Sequence, residues 1–360
     1  MSPTIAIPPS STTVEVSIID TTSAIHCSPS IFISPEIKGL TDLDANSYSF
    51  LVEHKPTGRR VVFDLGVRKD WQNYAKPVYD QLIKSGAFTL DVRKDVAEIL
   101  VENGVALDTI EAIIWSHTHF DHVGDPSTFP GSTSLIVGPG VLAAHLPAYP
   151  ANPVGLLLES DFHGRSLIEL EPSQFDAQIG GYKAHDFFKD GSFYLLDVPG
   201  HAVGHICGLA RTTSASADGA DTDTFILMGA DTVHHAGELR PSEAVPLPKQ
   251  ISPNPRGGST PCPGEIFESI HPTPEKYETS PFYRIKVNED GSSLAHDLTE
   301  AEQSIHHLQE FDALEDVFVA FAHDTGLNGV IQTFPAKANG WKEAGWGEKS
   351  RWRFLGDWEV

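Results

Sequence analysis

Four side chains able to ligate a metal fall within six residues in His117-Thr118-His119-Phe120-Asp121-His122, directly after Ile113-Ile114-Trp115-Ser116. His117 and His119 are two apart, a spacing that splays side chains on a helix but points them the same way in extended backbone. Asp121, two further on, continues that alternation. Imidazoles with a carboxylate are a donor set that zinc takes, and fewer than four protein ligands leave a position for a reactive water. The bland alternative is a solvated loop, a chance cluster among 17 histidines. Distant segments that supply further ligands argue against it.

Each of those segments follows an apolar run that reads as a buried strand. Phe63-Asp64-Leu65-Gly66 ends one, and Val198-Pro199-Gly200-His201-Ala202-Val203-Gly204-His205 follows residues 193–197. Met228-Gly229-Ala230-Asp231 follows 225–227, and Ala320-Phe321-Ala322-His323-Asp324 follows 317–319. Ligands at strand ends suit a site at one edge of a sheet, where rigid elements hold the loops.

The elements that must position these groups recur along the whole chain. Residues 14–19 alternate like an edge strand. Residues 48–54 and 59–64 flank Lys55-Pro56-Thr57-Gly58 as a β-hairpin. Asp91 is expected to cap a helix with Val92, Val96, Ile99 and Leu100 on its apolar face, stopped by Asn103-Gly104. Thr299 with Glu302 has the spacing of a capping box opening a helix through Ile305 and Leu308. Residues 1–12 are expected to be loose. Residues 145–190 carry few strand signals, and ten of the 26 prolines lie between 241 and 281, too many for regular structure. These are expected to be irregular insertions, near 145–190 and 236–298, in a single domain spanning 1–360. Beside a metal centre they would wall a substrate pocket. Four tryptophans in the tail (Trp341, Trp346, Trp352, Trp358) read as packing against the core rather than as a ligand platform.

Composition narrows the partners. With 25 basic and 49 acidic residues the formal charge is -24, which repels phosphate backbones and anionic lipid and so argues against nucleic acid and membranes. Apolar residues at 40% suffice for a large core. Cys27, Cys207 and Cys262 form no framework of pairs, and no run approaches the ~18 apolar residues of a membrane span. The expectation is a cytoplasmic protein acting on a small molecule.

Taken in order, His-x-His-x-Asp-His, Pro-Gly-His-x-x-Gly-His, Gly-x-Asp and a late histidine after an apolar strand resemble the metallo-β-lactamase superfamily, from about Asp64 to His323. The resemblance implies an α/β fold, an αββα sandwich with a two-metal site at the sheet edge. His117, His119 and His201 would hold one metal, and Asp121, His122 and His323 the second, with Asp231 bridging. Asp64 would brace from the second layer, and His205 would support by hydrogen bonding. Two cations close together need an anion between them to damp their repulsion, and a carboxylate serves.

Within the superfamily, Asp231 and His323 set the chain apart from antibiotic-cleaving branches and from mononuclear iron persulfide dioxygenases. His119 stands where flavo-diiron members carry Glu. The sequence resembles the lactonase-like branch, and Gly-Ala-Asp-Thr with His-His-Ala-Gly-Glu-Leu-Arg-Pro-Ser resembles its fungal members. That implies a cofactor of two divalent metals, zinc above all, and hydrolysis of a cyclic ester or amide by a metal-bridging hydroxide. A thioesterase or glyoxalase II-like activity is the alternative, and an iron-dependent persulfide dioxygenase a more distant one. Lactonases of this superfamily place a Tyr three residues after the bridging Asp, against the substrate carbonyl. Here His234 holds that position, and Asp121 or His234 is expected to deliver the proton to the leaving group.

Overall fold

Two six-stranded sheets face one another in this computed structural model, which describes residues 5–217 and 222–360. The first has the order Val14–Asp20, Tyr48–His54, Arg59–Phe63, Ala112–Ile114, Ser134–Val137, Leu167–Glu169. Its first three strands are antiparallel and the rest join in parallel. The second runs Ala177–Ile179, Tyr182–Asp186, Phe193–Asp197, Ile206–Thr213, Thr224–Ala230, Val317–Phe321. It is antiparallel until the last strand, which pairs in parallel.

Strands covered on both faces read as continuous apolar runs. Ala112 and Ile114 point into the inter-sheet core with Phe50, Val61, Phe63, Leu195, Ile226 and Ala320. Ile113, between them, faces outward with Leu51 and Val62 onto the helix Val96–Glu102. On the far side the helix Leu298–Asp312 and the C-terminal segment cover the second sheet through Leu308, Phe311, Leu355 and Trp358. The layers are those of an αββα sandwich. Each such Val, Leu, Ile or Phe side chain, fully buried, contributes about 1.5–3 kcal/mol. All four C-terminal tryptophans are buried. Among the described residues no helix is long and apolar enough to cross a membrane.

At one end the two sheets are tied together by backbone hydrogen bonds. Ile206 N–H donates to Ser116 O at 2.8 Å, and Tyr48 N–H to Ala322 O at 3.2 Å. Trp115, wholly buried, donates its indole N–H to Val123 O at 3.1 Å and so folds the histidine-rich segment back on its own strand. The expected edge strand is real but shielded: Ala338 N–H donates to Val16 O and Phe334 N–H to Ile18 O, and the tail blunts the edge.

Several local expectations need correction. Asp91 lies in the strand Phe88–Val92, and the cap is Asp95, which forms a capping box with Glu98. Val92 is therefore not on the helix. The long helix begins at Leu298, capped by the Asp297 side chain on Glu300 N–H; Thr299 and Glu302 lie inside it. Within 145–190 there are three strands, Leu167–Glu169, Ala177–Ile179 and Tyr182–Asp186. Residues 1–4 of the expected loose start lie outside the described residues. From Ile5 onward the segment is anchored, with Ile5 and Ile7 packed on the core and Pro8 O accepting from Arg211. The proline-rich stretch holds only two-residue strands and 3-10 turns.

Candidate metal centre

The histidine-rich segment is extended only in its first half. His117 follows the strand Ala112–Ile114 directly, and His119 caps one helical turn, Phe120–Val123, that carries Asp121 and His122. The alternation expected for Asp121 therefore fails. The turn rotates Asp121 and His122 away from His117 and His119 and divides the segment between two donor groups. In one, donor atoms of His117, His119, His201 and Asp231 all lie within 4.8 Å of one another; in the other, those of Asp121, His122, Asp231 and His323 do. Asp231 belongs to both. All seven residues named from the sequence converge, although they span more than two hundred positions.

The contacts are those of atoms aimed at a common point. His201 Nε2 lies 3.2 Å from His117 Nε2 and 3.0 Å from His119 Nδ1. Asp231 Oδ2 lies 3.6 Å from His117 Nε2 and 3.5 Å from His201 Nε2. Its Oδ1 approaches His122 Nε2 at 2.9 Å and His323 Nε2 at 3.2 Å. Yet His122 Nε2 and Asp231 Oδ1, both buried, have no hydrogen-bond partner. Buried polar atoms without partners are costly. Divalent cations would satisfy these, and nitrogen with carboxylate oxygen is a suitable donor chemistry.

A second layer sets the tautomers. Asp64, buried at the end of Arg59–Phe63, accepts from His122 Nδ1 at 2.8 Å and from Ser116 N–H and Oγ at 2.7 Å each. Ser116 Oγ in turn lies 3.0 Å from His117 Nδ1. His323 Nδ1 donates to Asn46 O at 2.6 Å, and His205 joins Val198 O through Nδ1 and Asp231 N–H through Nε2. Each imidazole of the donor groups so braced presents its other nitrogen to the centre.

Electrostatics follow the same division. Burial, then neighbouring imidazoles, hold His117 and His201 well below the usual imidazole range, so both are neutral and free to donate a lone pair. Burial also lowers His119. Burial acts against the charge of His122 and His323, but the carboxylates around them, Asp231 foremost, prevail and push both up. Asp231 is held well below the carboxylate range against its own burial, by His122 and His323. A cation held there would have to displace protons from those imidazoles.

His234 lies beside the cluster. Its Nε2 is buried without a hydrogen-bond partner, 3.6 Å from Asp231 Oδ2, and its ring stacks on Phe32 at 4.3 Å. Glu238 accepts from His234 N–H at 2.7 Å and fixes the backbone below it. His235 turns away, 3.1 Å from Asp357. Sequence reasoning missed Ser116, Asn46, Phe32 and Glu238. Asn46 acts through its backbone carbonyl, which no residue type signals. Glu238 was legible as a Glu three residues after His235 opening a helical turn.

A family model of the metallo-beta-lactamase superfamily matches residues 43–219. A gamma-lactamase of Fusarium pseudograminearum is 46% identical over 99% of this chain and 85% of its own length. The chain belongs to the metallo-beta-lactamase superfamily. Another relative, a metallo-hydrolase of Annulohypoxylon moriforme, is 44% identical over 99% of this chain and 90% of its own. The superfamily sandwich recurs in a solved N-acyl homoserine lactone hydrolase with N-hexanoyl-L-homoserine bound at its catalytic metal center. That structure superposes with a TM-score of 0.57 at 17% identity, covering 91% of this chain and 99% of the other. At that identity the likeness is one of fold.

Proposed function

We propose that this metal-dependent hydrolase opens a cyclic amide or ester, a lactam or lactone, with two divalent cations, zinc foremost. His117, His119 and His201 would hold one, Asp121, His122 and His323 the other, and Asp231 both. The observation that carries the reading is the pair of buried donor groups sharing one carboxylate. The names of the relatives, gamma-lactamase and metallo-hydrolase, support the same class. We read residues 1–360 as one domain. Three buried free cysteines support a reducing, cytoplasmic setting.

When bound, such cations supply a water acidic enough to attack at neutral pH and a Lewis acid for the carbonyl. The protein's own groups do the rest. Asp64 and Ser116 keep His117 and His122 in the tautomer that offers a lone pair inward. His234, its ring plane set by Phe32, presents an unpaired nitrogen where a carbonyl oxygen or leaving nitrogen would lie. An amide nitrogen leaves poorly unprotonated, so a lactam leans harder on His234 or Asp121 as proton carrier than a lactone does.

Metal analysis of the purified protein beside a panel of lactones, lactams and thioesters tests this. Turnover of lactams or lactones with about two metals per chain is expected, and Asp231→Ala should lose metal and turnover together. Full activity in Asp231→Ala, or metal-loaded protein that opens no member of the panel, would overturn the assignment. Thioesters alone being cleaved would replace it with the thioesterase reading.

A further inference from the structure

The ring of His234 is aimed from outside the donor groups. Its Nε2 is buried without a hydrogen-bond partner, and its plane is set by the stack on Phe32, with centroids 4.3 Å apart and planes 14° from parallel. Phe32 in turn meets Phe88 edge-on at 6.1 Å. Both members of the stack are fastened to one short stretch of the proline-rich insertion, residues 283–286. Lys286 N–H donates to Phe32 O at 2.7 Å, and Tyr283 N–H donates to Gly237 O at 2.9 Å, just past His234 and His235. Between these two bonds Arg284 and Ile285 pair antiparallel with Ser34 and Ile33. The approach is close: a Cβ on Gly237 would lie 2.8 Å from Tyr283 Cδ2. Glu238 completes the seat, accepting from His234 N–H at 2.7 Å and from His235 N–H at 3.2 Å.

We propose that residues 283–286 are a clamp and Phe32 a positioning residue, and that together they fix the aim of His234 and so set how well the site opens a cyclic amide relative to a cyclic ester. The inference rests on the reading of His234 as the group that meets the leaving atom. An alkoxide can leave unprotonated beside a cation, whereas an amide nitrogen needs a proton-carrying group aligned on it. Alignment is exacting, since a misplacement of about 1 Å can cost on the order of 100-fold in rate. An imidazole on two rotatable bonds, with nothing bonded to Nε2, keeps its aim only while its stacking partner stays in place. The clamp supplies that condition, because a single extended segment bonds to the backbone on both sides of the stack. The proline-rich insertion thereby acts on the chemistry through the angle of one ring.

Histidine-selective NMR on the metal-loaded full-length protein reads the clamp apart from turnover. The Cε1–H signal of His234, identified as the one that His234→Gln removes, should carry a ring-current shift from Phe32. Lys286→Pro deletes the N–H that holds Phe32 O and changes no side chain of the site. In that variant the signal should move toward its position in Phe32→Leu. Turnover reads the consequence. The ratio of kcat/KM for γ-butyrolactam to that for γ-butyrolactone should fall about tenfold in Phe32→Leu and severalfold in Lys286→Pro, at unchanged metal content. Phe32→Tyr, which keeps a ring, should restore it. Because the ratio compares two substrates on one variant, a small loss of folded protein does not affect it. An unmoved signal in Lys286→Pro, a ratio unchanged in Phe32→Leu, or metal lost in step with activity would overturn the proposal. A signal that moves as expected in a protein that opens neither ring would uphold the clamp and count against the hydrolase reading.

Discussion

Asp64 Oδ2 lies 2.8 Å from Nδ1 of His122, and the same carboxylate reaches His117 through Ser116. One buried group thus sets the tautomer of a histidine in each donor group. Asp64 sits at φ 60, a left-handed conformation that Asn tolerates, so Asp64→Asn keeps the backbone while spoiling the acceptor pair. Metal affinity should fall about 10–100-fold and turnover with it. Competition with a chelator reads the first, and circular dichroism should stay unchanged. Wild-type affinity would show that the brace is idle.

The shared carboxylate makes the two groups unequal under mutation. His323→Ala removes a donor from one group only, so the purified variant should hold about one metal per chain where the native protein is expected to hold about two. His201→Ala should do the same from the other side. Asp231→Ala strikes both. Elemental analysis of the three variants decides the matter, and equal stoichiometry in all would mean that the groups do not fill as separate sites.

Gly200, immediately before His201, has φ 115, and a Cβ there would lie 2.0 Å from Ala301 N and 2.4 Å from its Cα. The obstruction is backbone of the helix Leu298–Asp312, which cannot swing aside as a flexible side chain would. Gly200→Ala should therefore push the His201 turn off the helix, costing about 1–3 kcal/mol and weakening the group of His117, His119 and His201. Thermal unfolding and metal content should fall together. A variant with native values of both would refute the close approach.

The convergence of the two donor groups was legible because metal chemistry restricts residue type and because each donor ends an apolar run. His201, Asp231 and His323 could be found from Pro-Gly-His, Gly-x-Asp and a late histidine without knowing any contact. The division of the first cluster was not legible. Alternation puts Asp121 with His117, whereas a single helical turn after His119 puts it with His323, and one turn has too few residues to show a period. Helix starts were misplaced by four and two residues because several Asp and Thr residues stand near each start. Which of them accepts from the backbone depends on where the preceding strand ends, as at Asp95 rather than Asp91. Strands in 167–186 escaped notice because they are short and carry polar residues on the outer face. Lys183 and Gln178 are exposed where a two-sided buried strand would have none.

The turn that carries Asp231, His234 and His235 is fastened to the long helix by Arg240 and Asp312, both buried, with Nε–Oδ2 at 2.7 Å and Nη2–Oδ1 at 2.6 Å. Removing one partner of such a pair strands the other, at about 3–5 kcal/mol, so Arg240→Met should unfold at markedly lower urea concentration at pH 7. Burial alone would raise Asp312, but Arg240 outweighs it and holds the carboxyl below its usual range. A depressed folded value means that the pair stabilises above the ordinary carboxylate pKa of about 3.9 and that this stability is lost as pH falls through the folded value. In Arg240→Met only Arg351, 4.0 Å away, is left to oppose burial; the folded value of Asp312 should rise, the folded state should hold its proton to higher pH than the native pair allows, and acid should relieve the variant. The stability gap between native protein and variant should therefore narrow between pH 7 and about pH 4.5. Urea unfolding at the two pH values measures it. A gap that stays constant would mean that Arg351 keeps Asp312 charged in the variant at no added cost, and that Arg240 contributes only its packing.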